Sequence, residues 1–332
     1  MQLHVPTPHE GLDAALRNLG RLVVAFSGGA DSAFLAAYAT ALLGRENVLC
    51  VTAVSASLAE SELADCRALA SEWNLDWRSV VTNETSRPDY IANSGDRCFH
   101  CKDELFTQLA AEAVKRSIAH VVYGVNKDDL GDYRPGQNAA KLHQVKAPLV
   151  EAGLTKAEIR ELSKAAGLAT WDRPASACLS SRIPYGEAVT PEKLRMIEAA
   201  ENVLRDMGFY DVRVRHHELA AKAAAGGAAL ALARIEVGVE EMKKFLENEN
   251  FSRVAAAFKG AGYAHVTLDL QGYRRGSLNE AVATLRSSPR PGRRSRNRRH
   301  SGCRRSRRRH RWWRHSCRDR GRARRCAAHG PG

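Results

Sequence analysis

The sequence lacks an apolar run that approaches the 18 residues of a membrane-spanning helix, and its first ten residues, MQLHVPTPHE, are too polar for a secretory signal. These absences favour a cytoplasmic protein without a membrane partner. Cysteines stay reduced in that compartment, so the eight cysteines are expected in packing, metal binding or catalysis rather than in disulfides.

Lysine is absent from residues 289–332, although this segment holds 18 arginines and a single acidic residue. It has almost no aliphatic residues, so we predict a disordered tail that forms no core. A nucleic-acid-binding arm, a solvated extension and a frameshift product are the three interpretations. Arginine without lysine beside glycine, alanine, proline and histidine is typical of GC-rich DNA read out of frame, which favours the last. Residues 1–288 hold 33 basic and 36 acidic residues, so the net charge of +14 does not indicate nucleic-acid binding by the folded part.

Strands alternate with helices along the first part of the chain. The pattern predicts strands at 22–26, 47–54, 75–81 and 120–125 and helices at 12–19, 33–43, 58–73, 99–117 and 154–166. Such alternation predicts an α/β fold with a doubly wound parallel sheet.

A loop at 173–187 that contains proline, serine and glycine then divides the chain. Beyond it we predict helices at 191–207, 240–248 and 251–259 and strands at 210–216, 232–237 and 265–270. An Ala/Gly-rich insertion before the second of these strands is expected to be a surface loop. The predicted domains are therefore an α/β domain at 1–186, a smaller α+β domain at 187–288 and the tail at 289–332.

The first predicted strand leads into the turn Ser27-Gly28-Gly29-Ala30-Asp31-Ser32. Backbone N–H groups in such a turn converge on one point at the positive end of the following helix, and two serine hydroxyls add donors there. The sequence therefore predicts a phosphate cradle; a glycine-rich connection without a ligand is the alternative. No lysine stands at the GxxxxGK[ST] spacing, which excludes a Walker loop. Ligands of parallel sheets bind beyond the carboxyl ends of the strands, so Asn126 and Asp129 are expected near this turn.

Two cysteine motifs are candidates for chemistry. Cys98 and Cys101 form a CxxC at the start of a predicted helix, where the helix dipole lowers a thiol pKa. No second CxxC lies in residues 1–288, so half a zinc site, a redox pair and two unrelated thiols all fit. Cys178 lies among small residues with Arg182 nearby, which suits an activated thiolate or, alternatively, a packing cysteine.

Arg213 and Arg215 lie two residues apart on a predicted strand, so both side chains face one side while the valines beside them face the core. Two guanidinium forks suit a phosphate group, and solvated strand arginines are the alternative. Glu201 and Glu236 are either acidic partners near the site or ordinary surface carboxylates.

The chain resembles the LarE-type ATP-dependent sulfur transferases of the PP-loop ATP pyrophosphatase superfamily. Seven ordered motifs over residues 10–282 carry the resemblance: SGGADS, RCFHCKDELF, GVNKDDLGDYRPG, PASACLSSRIPYGE, VRVRHH, ARIEV and DLQGYRRGSLNE. The resemblance implies an enzyme that adenylates a carboxylate of pyridinium dicarboxylate mononucleotide and then replaces its oxygen with sulfur. The product serves the nickel-pincer nucleotide cofactor of lactate racemase. ATP and Mg²⁺ are implied as cofactors, and a small-molecule nucleotide and further copies of the same chain as partners.

The resemblance also implies roles for particular residues. The ATP-binding residues would be Ser27, Gly28, Gly29, Asp31, Ser32, Asn126 and Asp129. The substrate phosphate would be held by Arg213 and Arg215, with Arg182 counted among the candidates. Cys178 would be the cysteine that bears sulfur.

Two routes for sulfur delivery stay open within this resemblance. Sacrificial members use one cysteine, which becomes dehydroalanine, whereas three-cysteine members hold a [4Fe–4S] cluster. This chain has three matching cysteines, which favours the cluster: Cys98, Cys101 and Cys178. A PP-loop amide synthetase, a tRNA thiolase and a nucleic-acid-binding protein that acts through the arginine-rich tail are the alternative functions. We find no glutaminase segment, and the slight negative charge of residues 1–288 disfavours tRNA binding.

Overall fold

The structure is a computed structural model that describes residues 8–131, 135–174, 177–219 and 230–274. The predicted tail, residues 220–229 of the Ala/Gly-rich insertion and the end of the last motif lie outside these residues. The helices are α1 Glu10–Leu19, α2 Ala30–Leu43, α3 Glu60–Glu72, α4 Pro88–Ile91, α5 Arg97–Lys115, α6 Pro135–Leu142, α7 Pro148–Glu151, α8 Lys156–Ala165, α9 Pro191–Asp206 and α10 Asn250–Gly260. The strands are β1 Leu22–Ala25, β2 Val48–Val54, β3 Asp76–Val81, β4 His120–Tyr123, β5 Val212–Leu219, β6 Leu230–Val237 and β7 His265–Leu268.

The first four strands form a parallel sheet in the order β3-β2-β1-β4. In its register, Leu22 of β1 lies between Val48 of β2 and His120 of β4. Successive side chains of β1 point to opposite faces. Val24 packs in a core with residues of α1, α2 and α3, whereas Val23 packs on the other face with residues of α5. Helices cover both faces, and the predicted doubly wound α/β fold is confirmed.

The second sheet has the order β5-β6-β7, with β5 antiparallel and β7 parallel to β6. Alternate valines of β5, Val212 and Val214, are buried in a core that includes Leu204 of α9 and Phe258 of α10. An α+β arrangement is therefore present after the loop at 173–187. The domain boundary at residue 186 stays a prediction.

Several elements differ from the sequence prediction. Helix α2 begins at Ala30 rather than 33, so Asp31 and Ser32 occupy its first turn, where the helix dipole favours an acidic side chain. The segment predicted as a helix at 240–248 is a 3₁₀ helix, Val239–Leu246, and β6 begins inside the Ala/Gly-rich insertion. The short helices α4, α6 and α7 were not predicted. Along the described ranges, we find no helix of sufficient length and apolarity to span a membrane.

Candidate active site

The phosphate loop joins β1 to α2 and is closed by its own serines. The hydroxyls of Ser27 and Ser32 lie 2.9 Å apart, and the Ser32 hydroxyl also donates to the Gly29 carbonyl at 3.1 Å. Gly28 has a φ of 68°, in the left-handed region, and a Cβ at this position would lie 3.0 Å from Sγ of Cys66. Glycine is therefore required at the bend, and the loop has the compact shape that the sequence predicts.

The end of β4 approaches the same loop closely. A Cβ added to Gly124 would lie 2.7 Å from the backbone N and Cα atoms of Ser32. This contact brings the following residues to the loop, where the Asn126 amide donates to Asp31 Oδ2 at 3.3 Å. The backbone N–H of Asn126 donates to Asp129 Oδ2, also at 3.3 Å. The structure thus brings together the residues that follow β1 and β4, as the strand order requires.

Asp31 is the charged centre of this region. Burial raises its pKa and the nearby Asp129 raises it further, whereas Lys156, 3.8 Å from its Oδ2 atom, acts in the opposite direction. The Oδ1 atom is buried without a hydrogen-bond partner among the described residues. An unpartnered carboxylate oxygen beside a second carboxylate fits a hard cation such as Mg²⁺.

Lys156 lies at the site beside Asp31 and is not among the residues predicted from the sequence. It is the first residue of α8 and follows Thr155, which forms a capping box with Glu158. A cation at a helix N-terminus opposes the helix dipole, and this unfavourable placement is the signal that identifies it in the sequence.

One cavity of about 390 Å³ connects the phosphate loop with the cysteines. The loop side of its wall includes Ser27, Gly29 and Ser32, and the thiol side includes Cys98, Cys101 and Cys178. These cysteines come from two distant parts of the sequence, the start of α5 and the loop after α8. The fold therefore brings all three predicted cysteines to the predicted nucleotide site.

Both thiols of the CxxC have pKa values above the ordinary cysteine value. Burial, and after it the charge of Cys178, raises the pKa of Cys101 to about 12, and the same causes raise the pKa of Cys98. Glu84, which also lines the cavity, adds to the effect at Cys101. The lowering predicted from the helix start is not found, because burial acts in the opposite direction.

An iron–sulfur cluster stays a prediction. Within the described ranges no group of three His, Cys, Asp or Glu side chains is arranged to hold a metal ion. The donor set is nevertheless chemically suitable, because Cys98, Cys101 and Cys178 face one cavity and thiolates are the usual cluster ligands.

The described part of the loop that carries Cys178, residues 177–187, is called the Cys178 loop. It is held in place by Arg182, which is 2 % exposed. Its Nε and Nη2 atoms donate to the carboxylate of Glu201 at 2.8 and 3.0 Å. Its Nη1 atom donates to the carbonyls of Ala177 and Cys178, the latter at 3.0 Å, and to Ser181 Oγ at 3.1 Å. This geometry favours a positioning role for Arg182 over phosphate binding.

A second set of contacts fixes the loop from the CxxC side. The side-chain amide of Asn93, which has a φ of 53°, donates to the carbonyls of Pro184 and Glu187 at 2.7 and 2.9 Å. Arg97 donates to the Ser180 carbonyl at 2.8 Å. Asn93, just before α5, and Arg97, the first residue of α5, therefore hold the Cys178 loop beside the CxxC. No sequence pattern predicts these contacts.

Of the two arginines of β5, Arg215 contacts the Cys178 loop. Arg215 forms a buried ion pair with Glu236 at 2.7 Å and donates to the Ser181 carbonyl at 3.0 Å. Burial, and then the charge of Arg182, lowers the pKa of Arg213. Phosphate binding by these arginines stays a prediction, and their strand does reach the loop of the predicted sulfur-bearing cysteine.

Glu201 and Glu236 are buried ion-pair partners rather than surface carboxylates. Both are fully buried, and four donors converge on Glu201: two from Arg182, one from Arg205 at 2.7 Å and the backbone N–H of Val214 at 3.0 Å. These bonds lower the pKa of Glu201 although burial alone would raise it. Through its bonds to Arg182 and Val214, Glu201 of α9 joins this helix and β5 to the Cys178 loop.

Comparison with known proteins agrees with this geometry. The sequence model of the NAD synthase family matches residues 14–121, which include the phosphate loop. The chain is 34% identical over 271 residues to the pyridinium-3,5-bisthiocarboxylic acid mononucleotide synthase of Lactiplantibacillus plantarum, covering 82% of this chain and 93% of that protein.

Two further similar proteins are named without an activity. The chain is 41% identical over 273 residues to slr1717 of Synechocystis sp., covering 82% of this chain and 97% of that protein. It is 27% identical over 254 residues to MJ0830 of Methanocaldococcus jannaschii, covering 76% and 91%. In all three cases the similarity extends over most of both proteins.

Proposed function

Because the chain belongs to the LarE-type family of pyridinium-3,5-bisthiocarboxylic acid mononucleotide synthases, we propose that it converts a carboxylate of a pyridinium dicarboxylate mononucleotide into a thiocarboxylate. It is an ATP-dependent enzyme with a PP-loop domain. The observation that carries the proposal is the single cavity lined by the phosphate loop and by Cys98, Cys101 and Cys178. The product would serve a nickel-pincer nucleotide cofactor.

The first step is adenylation of the carboxylate. Backbone N–H groups at the start of α2 and the hydroxyls of Ser27 and Ser32 bind the ATP phosphates. A substrate carboxylate oxygen attacks the α-phosphorus, and pyrophosphate leaves. Asp31 and Asp129 would hold Mg²⁺, which offsets phosphate charge when bound. Lys156 supplies a further positive charge beside Asp31.

The second step replaces oxygen with sulfur. In the sacrificial route the Cys178 thiolate attacks the acyl carbon and AMP leaves, which gives a thioester. Loss of the Cα proton then breaks the Cβ–S bond, leaving a thiocarboxylate on the substrate and dehydroalanine in the protein. In the route that the cysteine count favours, Cys98, Cys101 and Cys178 would hold a [4Fe–4S] cluster, which would carry the sulfide that replaces the substrate oxygen.

The test is incubation with ATP, Mg²⁺ and the dicarboxylate nucleotide, once in air and once anaerobically after loading with iron and sulfide. Mass spectrometry is expected to detect a thiocarboxylate product and an equal amount of AMP. Absence of product under both conditions, with a folded preparation, contradicts the proposal.

The same samples distinguish the two routes. Loss of the elements of H₂S from the Cys178 peptide indicates sacrifice, whereas an intact Cys178 in iron-containing protein indicates the cluster. Cys98→Ser is expected to abolish only the cluster route. Cys50→Ala is the matched control, because Cys50 is buried in β2 and does not line the cavity.

A further inference from the structure

Arg97 is a buried cation at the cavity wall. The residue is 5 % exposed and lines the cavity beside Cys98. The Nη1 atom donates to the Asn93 side-chain carbonyl and to the Ser180 carbonyl, and the guanidinium lies 5.8 Å from the centre of the Tyr185 ring. Among the described residues, no carboxylate lies within ion-pair distance of it.

The other buried arginines of this region are compensated. Arg182 is paired with Glu201, and Arg215 is paired with Glu236. Burial of an uncompensated charge is costly, and proteins pair such charges with an opposite charge. Within the part of the chain that the structure describes, Arg97 has no carboxylate at ion-pair distance; the negative charges that act on it are first that of the Cys178 thiol and then that of the Cys98 thiol. A guanidinium that faces the cavity with only thiols as charged neighbours indicates an anionic ligand there.

The proposed reaction supplies such an anion. The product named for the Lactiplantibacillus relative carries two thiocarboxylic groups on one pyridinium ring. While one acid group is activated, the second remains charged in the same cavity and needs a partner. The planar fork of arginine matches a carboxylate with two parallel hydrogen bonds.

We propose that Arg97 binds the acid group of the substrate that is not being activated, and that it thereby selects a diacid over a monoacid. The inference rests on the proposed function. Contacts with Ser180 and Asn93 fix the guanidinium beside the Cys178 loop, so the bound acid group would orient the ring toward the thiols. Arg97 is then a specificity-determining residue of the same cavity.

The experiment compares two nucleotides, the pyridinium dicarboxylate mononucleotide and nicotinic acid mononucleotide, which has one carboxylate. We expect Arg97→Gln to lower kcat/KM for the diacid about 10- to 100-fold, the size of a charge-assisted hydrogen bond, and to change the monoacid value by less than about 3-fold. Arg97→Lys keeps the positive charge without the guanidinium fork, so its kcat/KM for the diacid is expected to lie between the values of the wild type and of Arg97→Gln. Arg87→Gln is the control, because Arg87 is paired with Asp103 outside the cavity.

Three outcomes overturn the inference. If Arg97→Gln lowers kcat/KM equally for both nucleotides and also slows alkylation of Cys98 or Cys178, Arg97 stabilises a cysteine thiolate rather than the acid group. Unchanged diacid selectivity in Arg97→Gln and Arg97→Lys removes the role altogether. Equal affinity of the wild-type chain for both nucleotides in calorimetry does the same. The calorimetric comparison needs no turnover, so it tests Arg97 even if no thiocarboxylate forms and the proposed function fails.

Discussion

Replacement of Glu201 by glutamine should destabilise the protein far more than its conservative chemistry suggests. The carboxylate is fully buried and accepts both Nε and Nη2 of Arg182, a bond from Arg205 and the backbone N–H of Val214. A glutamine amide would direct N–H groups at these donors and leave the Arg182 charge uncompensated. Breaking a buried ion pair on one side costs about 3–5 kcal/mol, which we expect for Glu201→Gln.

Urea unfolding followed by circular dichroism measures this loss. The matched control is Glu192→Gln, on the same helix, because Glu192 pairs with Arg195 at 3.2 Å on the surface, where the solvent screens the ion pair, and its replacement should leave the stability nearly unchanged. A loss below about 1 kcal/mol for Glu201→Gln would refute the reasoning.

The pH dependence gives an independent readout of the same pair. In the folded state the pKa of Glu201 lies below its ordinary value of 4.5. The stability that its ionised carboxylate contributes is therefore fully present at pH values above 4.5. The contribution is lost as the pH falls through the lowered pKa, because protonation favours the unfolded chain. The difference in stability between wild type and Glu201→Gln should therefore narrow on acidification, and a constant difference would contradict the assignment.

Three further predictions concern the loop, the thiols and the second sheet. Gly124→Ala should cost about 1–3 kcal/mol in urea unfolding and weaken ATP binding, because its Cβ would meet the Ser32 backbone, whereas Gly95→Ala, with open space around it, should change neither. Cys101 should react with iodoacetamide at pH 8 at least about 100-fold more slowly than in the urea-unfolded chain, and an equal rate would contradict its raised pKa of about 12. Burial lowers the pKa of His216 to about 4, so the wild type should lose folding stability as the pH falls from 6.5 toward 4. If His216→Phe shows the same loss of stability over this pH range, the histidine is not its source.

The sheet and the phosphate loop were predictable because their signals are local. A continuous apolar run before a Ser-Gly-Gly turn identifies a buried strand and the helix that follows it. Alternation of strands with helices along the sequence implies that helices cover both faces of the sheet. The capping box at Thr155 is a local signal of the same kind. The predicted start of α2, at residue 33, lies three residues after the observed one, because Asp31 and Ser32 are equally suited to a loop and to the first turn of a helix.

The architecture around Cys178 was only partly predictable. The motif identified the cysteine, but its supports come from Asn93, Arg97 and Glu201, which are distant in the chain and carry no periodic signal. Glutamate and arginine are usually exposed, so no sequence signal indicates that Glu201 is buried. The raised pKa of Cys101 was unpredictable for the same reason, since burial in the folded state exceeds the effect of the helix start.

The measurement that tests the account most directly separates the two steps in one cavity. In Cys178→Ser, exchange of labelled pyrophosphate into ATP in the presence of the dicarboxylate nucleotide should persist while thiocarboxylate formation is lost. In Asp31→Asn both should be lost, because adenylation precedes sulfur transfer. Thiocarboxylate formation by Cys178→Ser at the wild-type level would contradict the claim that the phosphate loop and this cysteine act on the same bound substrate.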